Sequence, residues 1–213
     1  MKEYRKKIII TSLITLFPIV IGLLLWNKLP DRIATHFGAD NTPDGWSSKV
    51  FAVFGLPVIL FVLHLMSLCV TLNDPKKRNV GKMLLSVIFW IIPVLSIVMN
   101  SITYGIALGM KIDISVIATL MIAVLFIILG NYMSKNRQNY TVGIRLPWTL
   151  ASEENWDKTH RMASKLWVVG GIILFANVFF RQLAVMLIVI IAATIIPIIY
   201  SFVLYRNEMK QSK

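Results

Sequence analysis

The chain has 213 residues, 57% of them hydrophobic and only 15% charged, and it carries a formal net charge of +12. Soluble domains are about a quarter charged, so this composition, with a mean hydropathy of +0.73, excludes most soluble enzyme folds and indicates a membrane protein. The single cysteine, Cys69, lies inside an apolar run and excludes an internal disulfide framework.

Six apolar blocks follow one another: Ile8 to Trp26, Val50 to Leu72, Met83 to Leu108, Ile114 to Met133, Leu166 to Phe180 and Leu183 to Tyr205. All but the fifth reach the roughly 17 to 25 residues that cross a bilayer as helix. The fifth is expected to start earlier, in a polar stretch of helical periodicity, and Arg181 with Gln182 to form a tight turn before the sixth. The expected fold is therefore all-α, a polytopic membrane protein with six transmembrane helices. Residues 1–82 form a two-helix module with a loop at 27–49, and residues 83–133 the third and fourth helices. Residues 134–165 form a loop with an interfacial helix, and residues 166–213 the last two helices and a tail.

Lys2 to Lys7 ahead of the first block suggests a secretory signal, but no small-residue cleavage site precedes Lys28, so the first helix is expected to be retained. Of the 22 Lys and Arg residues, only Lys28, Arg32, Lys49, Lys111 and Arg181 fall on the side opposite the N-terminus. Lys and Arg near spans favour the cytoplasmic side, so both termini are expected there. The same asymmetry explains a pI of about 10.0 as topology, and no direct nucleic-acid binding is expected.

The loop from Asn27 to Lys49 is longer than a usual connection, which favours a functional role. Pro43, Asp44 and Gly45 signal a turn, Gly38 suits a second one, and Ile33, Phe37 and Trp46 are expected to pack as a small lid. His36, Asp40 and Asp44 have the spacing of metal ligands on a helix, but Gly38 and Pro43 argue against a helix; no metal is expected.

None of the six blocks contains Asp, Glu, Lys or Arg. Ion-coupled pumps and intramembrane proteases depend on such groups at membrane depth. The blocks hold a single histidine, His64 in the second, read as a neutral imidazole bonded to a neighbouring helix. Ser96, Asn100 and Thr103 share a face of the third block, with Gly105 and Gly109 beyond, and are read as helix-packing residues. Gly170, Gly171 and Asn177 in the fifth block suggest the same. Pro18, Pro57, Pro93 and Pro197 are ordinary in membrane helices.

In residues 134–165, the β-branched stretch with Gly143 and Pro147 predicts an extended run over Thr141 to Leu150. Ser152 is the expected N-cap of a helix whose first turn holds Glu153 and Glu154. Glu154 with Lys158 and Asp157 with Arg161 have ion-pair spacing, and Trp156, Ala163 and Trp167 lie near one face. Arg145 is expected to be anchored on an acid or on helix-end carbonyls, and His160 to be an ordinary polar-face residue.

Two stretches carry a resemblance. IGLLLWNKLPDRIATHFGADNTPDGWSSKVFAVFGLPVI resembles the N-terminal module of the SdpI family through a Pro, a His-Phe-Gly and a Pro-Asp-Gly-x-x-x-Lys. TVGIRLPWTLASEENWDKTHRMASK resembles that family's inner-loop signature through Gly143, Arg145, Pro147, Trp148, Thr149, Trp156, His160 and Arg161; Leu146 replaces a small polar residue. The resemblance implies a non-enzymatic immunity protein of a bacterial cytoplasmic membrane, without cofactor, protecting its producer from a secreted, membrane-active peptide toxin. It also implies a receptor that captures a cytoplasmic transcriptional repressor. Carried over by residue, His36, Phe37, Gly38, Pro43, Asp44, Trp46 and Lys49 face the toxin, and the signature is a signalling or folding element. The rival readings are a small transporter or exporter of a lipid or hydrophobic solute, working through Ser96, Asn100 and Thr103, and a membrane enzyme using His36, Asp40 or Asp44.

Overall fold

The structure, a computed structural model, describes residues 2–38 and 40–211. Ala39 of the long loop and Lys213 of the basic tail lie outside the described residues. The elements are α1 (Arg5–Leu24), β1 (Arg32–Phe37), β2 (Pro43–Ser48), a π-helical segment (Phe51–Gly55) running into α2 (Leu56–Leu72), α3 (Lys82–Ala107), α4 (Ile114–Met133), α5 (Pro147–Ala151), α6 (Glu153–Phe180) and α7 (Leu183–Gln211). Among the described residues six helices are long and apolar enough to cross a membrane. The chain is mostly helical, as expected, with the addition of a β1–β2 hairpin in the long loop.

The chain forms two compact units, one of Met1–Leu72 with Ser86–Ser115, the other of Asn73–Leu85 with Val116–Lys213. In the first, α1 buries Thr11, Thr15, Pro18 and Gly22, its small and polar stripe, while Ile10, Leu13, Phe17 and Val20 stay exposed. This inversion of the soluble pattern is what lipid imposes, because large apolar side chains lose nothing by facing acyl chains and small residues let helices approach. At Gly22 an added Cβ would stand 2.6 Å from a Val53 methyl, so the segment 51–55 packs directly on α1.

Hydrogen bonds complete that contact. Ser96 Oγ of α3 donates to the Thr15 carbonyl at 2.8 Å, and Tyr104 Oη to that of Pro18 at 3.2 Å. His64 Nε2 lies 2.9 Å from Thr11 Oγ1, whose proton goes to the Lys7 carbonyl at 2.8 Å. The imidazole must therefore donate through Nε2–H. Asn100 folds back onto the Ser96 carbonyl at 2.8 Å and Thr103 onto that of Met99 at 2.9 Å. Of the polar stripe of α3, Ser96 reaches another helix, while Asn100 and Thr103 bond within α3 itself.

In the second unit α6 and α7 form an antiparallel hairpin closed at Arg181, which adopts φ 54° and donates its N–H to the Asn177 carbonyl at 2.7 Å. Asn177 also brackets Gln182, donating to its carbonyl at 2.9 Å and accepting its N–H at 3.2 Å. Gly171 brings α6 against α4, where an added Cβ would meet the Ala123 carbonyl at 2.8 Å. Trp167 stacks on Phe126 with centroids 4.9 Å apart and donates to the Ala193 carbonyl at 3.0 Å. The fifth span begins well before Leu166: α6 is one continuous helix from Glu153, with Ser152 accepting the Asn155 N–H at 3.1 Å.

Candidate functional site

Two polar constructions stand out against the apolar helices, one in each unit. In the first, the β1–β2 hairpin pairs Arg32 with Ser48, Ile33 with Ser47 and Ala34 with Trp46, then bulges so that His36 faces Gly45 and Phe37 faces Pro43. Pro43, Asp44 and Gly45 are thus strand residues, and the expectation of a turn there is corrected. The turn closes earlier, at 38–42, because Asn41 takes φ 68° and Gly38 exchanges backbone bonds with Asn41 and Thr42. The Thr42 hydroxyl and amide both donate to Asp40 and hold its carboxyl below the usual carboxylate range. Gly45 is needed opposite His36, whose Cβ would be 2.9 Å from a Cβ added there.

The hairpin is anchored at both ends. Ile33 is buried with Leu29, Ala52, Val53 and Tyr104. Lys49 is also turned inward: its ammonium lies 5.3 Å from the Trp26 ring centroid, 3.3 Å from the Trp26 carbonyl and 3.2 Å from Asp31. At the tip, Asn41 donates to Asp113 at 3.0 Å and accepts the N–H groups of Ile114 and Ser115 at 3.0 and 3.3 Å. A hairpin side chain therefore caps α4, satisfying donors that a helix start leaves open. Of the residues expected to face a ligand, those left exposed are His36 and Asp44, bonded to each other at 2.5 Å, with Pro43 and Trp46. The expected lid of Ile33, Phe37 and Trp46 is corrected, since Trp46 is 51% exposed while Ile33 is buried. Asn41→Ala is expected to destabilise the protein by about 1–2 kcal/mol through the lost cap; faster amide hydrogen exchange at Ile114 and Ser115 is the check.

The second construction joins the segment 73–81, the segment 134–146, α5, the start of α6 and the end of α7. Its centre is Trp156, fully buried, with the His160 ring stacked on it at 4.0 Å. His160 Nδ1–H donates to the Trp156 carbonyl at 2.8 Å and Nε2 accepts the Ile144 N–H at 2.9 Å. Both ring nitrogens are thereby assigned, and the imidazole is neutral. The expectation of a polar-face residue is corrected: His160 follows Trp156 by one helical turn and precedes Ala163, so it shares their buried face. Gly143 lies over this pair with φ 126°, where an added Cβ would collide with His160 Nε2 and stand 3.0 Å from Trp156.

The expected extended run over Thr141 to Leu150 is also corrected, because α5 begins at Pro147. Pro is suited to a helix start, where its missing N–H costs nothing. Thr149, buried, accepts the Leu146 N–H at 2.8 Å and donates toward the Ile144 and Leu146 carbonyls. Trp148 donates to Ser201 Oγ at 2.7 Å and stacks on Tyr205. Arg145 is exposed and donates to the Tyr140 carbonyl at 2.6 Å, away from Glu153 and Asp157. Glu154 pairs with Lys158 as spaced; no ion pair joins Asp157 to Arg161 among the described residues.

Several residues of this network carry no motif in the sequence. Trp156 Nε1 donates to the Asn136 carbonyl at 2.7 Å. Buried Asp74 accepts the Tyr140 N–H at 2.9 Å, the Thr141 hydroxyl at 2.8 Å and the Lys76 N–H at 2.7 Å. Gln138 spans from Lys76 to the Thr149 and Leu150 carbonyls, and Asn155 from Thr159 to Ser201. The cluster of Asn and Gln between Asn136 and Asn139 was the available signal.

Comparison with known proteins follows these two constructions closely. Residues 135–201 match the model of the SdpI/YfhL protein family. The match runs from the start of the Asn136 loop to Ser201, so the SdpI/YfhL region encloses the Trp156–His160 centre and every signature residue. Residues 13–61 match a domain of unknown function, DUF1648, which contains the whole hairpin. Immunity protein SdpI of Bacillus subtilis (strain 168) is 29% identical over 205 residues, 95% of this chain and 97% of that protein. No solved structure matches. With six candidate spans and this relative, the chain is a multi-pass protein of the cell membrane.

Proposed function

We propose that this protein confers immunity to a secreted, membrane-active peptide, and does so by binding it and not by chemistry. The observation that carries the reading is the alignment with an immunity protein across 95% of this chain and 97% of that relative. Both polar constructions fall inside that span, so the likeness covers the hairpin and the Trp156–His160 network together. The mechanism is occupancy: the peptide docks on the outward face of the hairpin, at His36, Asp44 and Trp46, instead of permeabilising the bilayer. Signalling to a cytoplasmic repressor follows only if the bound peptide favours one of two arrangements of residues 134–165.

The test is survival of a sensitive bacterium expressing the protein and challenged with secreted membrane-active peptides, against cells with an empty vector. Protection at matched membrane insertion supports immunity; equal killing by every peptide refutes it. The orientation proposed from the basic residues, both termini in the cytoplasm, has its own check. In a Cys69→Ser background, an impermeant maleimide applied to intact cells should label Ser48→Cys and leave Asn207→Cys unlabelled. The reverse pattern would invert the topology.

A further inference from the structure

At the border between its polar and apolar halves, α6 lines a basic hollow outside the Trp156–His160 network. This cavity of about 510 Å³ is bordered by Lys158, Arg161 and Lys165 of α6, Tyr200 of α7 and Ser134, which follows α4 directly. The three cations stand at spacings of three and four, on one helical face. Lys158 is neutralised by Glu154. Among the described residues, no acidic group lies within ion-pair distance of Arg161 or Lys165. Two uncompensated cations on one hollow repel each other, and an anion placed between them removes that repulsion. The hydroxyls of Ser134 and Tyr200 add donors of the kind phosphate oxygens accept.

The level of the hollow identifies the anion. Lys165 is the last charged residue before the apolar run that opens at Leu166, and Ser134 follows Met133 at the end of α4. The cavity therefore lies where these helices enter hydrocarbon. One and two turns beyond Lys165, Val169 and Ile172 are exposed, as is Ile196 one turn from Tyr200. A soluble phosphate has no use for that apolar strip, whereas a phospholipid seats its phosphate among the cations and lays a chain along it.

We propose that this hollow binds the phosphodiester headgroup of an anionic phospholipid. The proposal depends on the helices crossing a membrane, and on neither the immunity reading nor the orientation. The test is native mass spectrometry of the full-length protein in neutral detergent with phosphatidylglycerol or phosphatidylcholine. The wild type should retain phosphatidylglycerol preferentially. Arg161→Gln and Lys165→Gln should each weaken retention about fivefold and together roughly 30-fold. Arg206→Gln with Lys210→Gln, which removes the same charge from the exposed end of α7, should leave it unchanged. Equal loss in both double variants, or no preference between the two lipids, would overturn the proposal. Displacement of bound lipid by millimolar inorganic phosphate would also overturn it, by making the site one for a soluble anion.

Discussion

Trp46→Ala is expected to weaken protection against the peptide strongly while leaving the amount of protein in the membrane unchanged. Trp46 sits on β2 opposite Ala34 and is 51% exposed. Its removal therefore costs the fold little, within about 0.5 kcal/mol for a surface position. The same exposure makes it the largest aromatic surface the hairpin offers a ligand. A docked tryptophan commonly accounts for about 2 kcal/mol or more of binding, which is roughly a 30-fold rise in the peptide dose survived by wild type but not by the variant. Asp44→Ala should act in the same direction, since it frees the His36 ring that the carboxylate now holds. The measurement is a survival curve with membrane abundance read from the same cells. Full protection by Trp46→Ala at normal abundance would move the docking face away from the hairpin.

Gly143→Ala is expected to destabilise the protein strongly. Two costs combine at this position. A φ of 126° is open to glycine and strained for alanine by about 1–3 kcal/mol. The new methyl also strikes the His160 ring, which cannot retreat because it is stacked on Trp156 and bonded at both nitrogens; overpacking of this kind adds about 1–3 kcal/mol. Gly109→Ala is the control. Gly109 lies in the turn just past α3 with φ 88° but has nothing within 4 Å of its added Cβ, so backbone strain alone acts, at about 1 kcal/mol. Thermal unfolding in detergent should show a clearly lower midpoint for Gly143→Ala than for Gly109→Ala. Equal midpoints would mean that the Trp156–His160 centre yields to accommodate the methyl.

Much of the architecture was legible because lipid simplifies the code. Runs of apolar residues long enough to cross a bilayer can be counted directly, and the Arg181–Gln182 turn followed from length alone. Ser152 announced the start of α6 because an N-cap needs a short oxygen-bearing side chain at one position. Readings failed where a residue's role depends on a distant partner. Pro43, Asp44 and Gly45 have turn chemistry, yet Asn41 closes the turn first, held there by Asp113, Ile114 and Ser115 some seventy residues on. His160 looked polar beside Arg161, although its spacing from Trp156 and Ala163 already placed it on the buried face.

The amino-acid sequence by itself determined that this is a membrane protein, where its six spans lie and which two segments differ from plain connectors. Hydropathy and helix caps are local properties, and one segment suffices to express each of them. Tertiary structure alone decided which polar residues serve the fold and which are left facing outward. Lys49 turns onto Trp26, Asp74 reaches Tyr140 and Thr141, and Asn41 caps α4, while Trp46 and His36 remain exposed. A buried polar group must find a partner wherever the chain brings one within about 3 Å, and that pairing is a property of the folded whole.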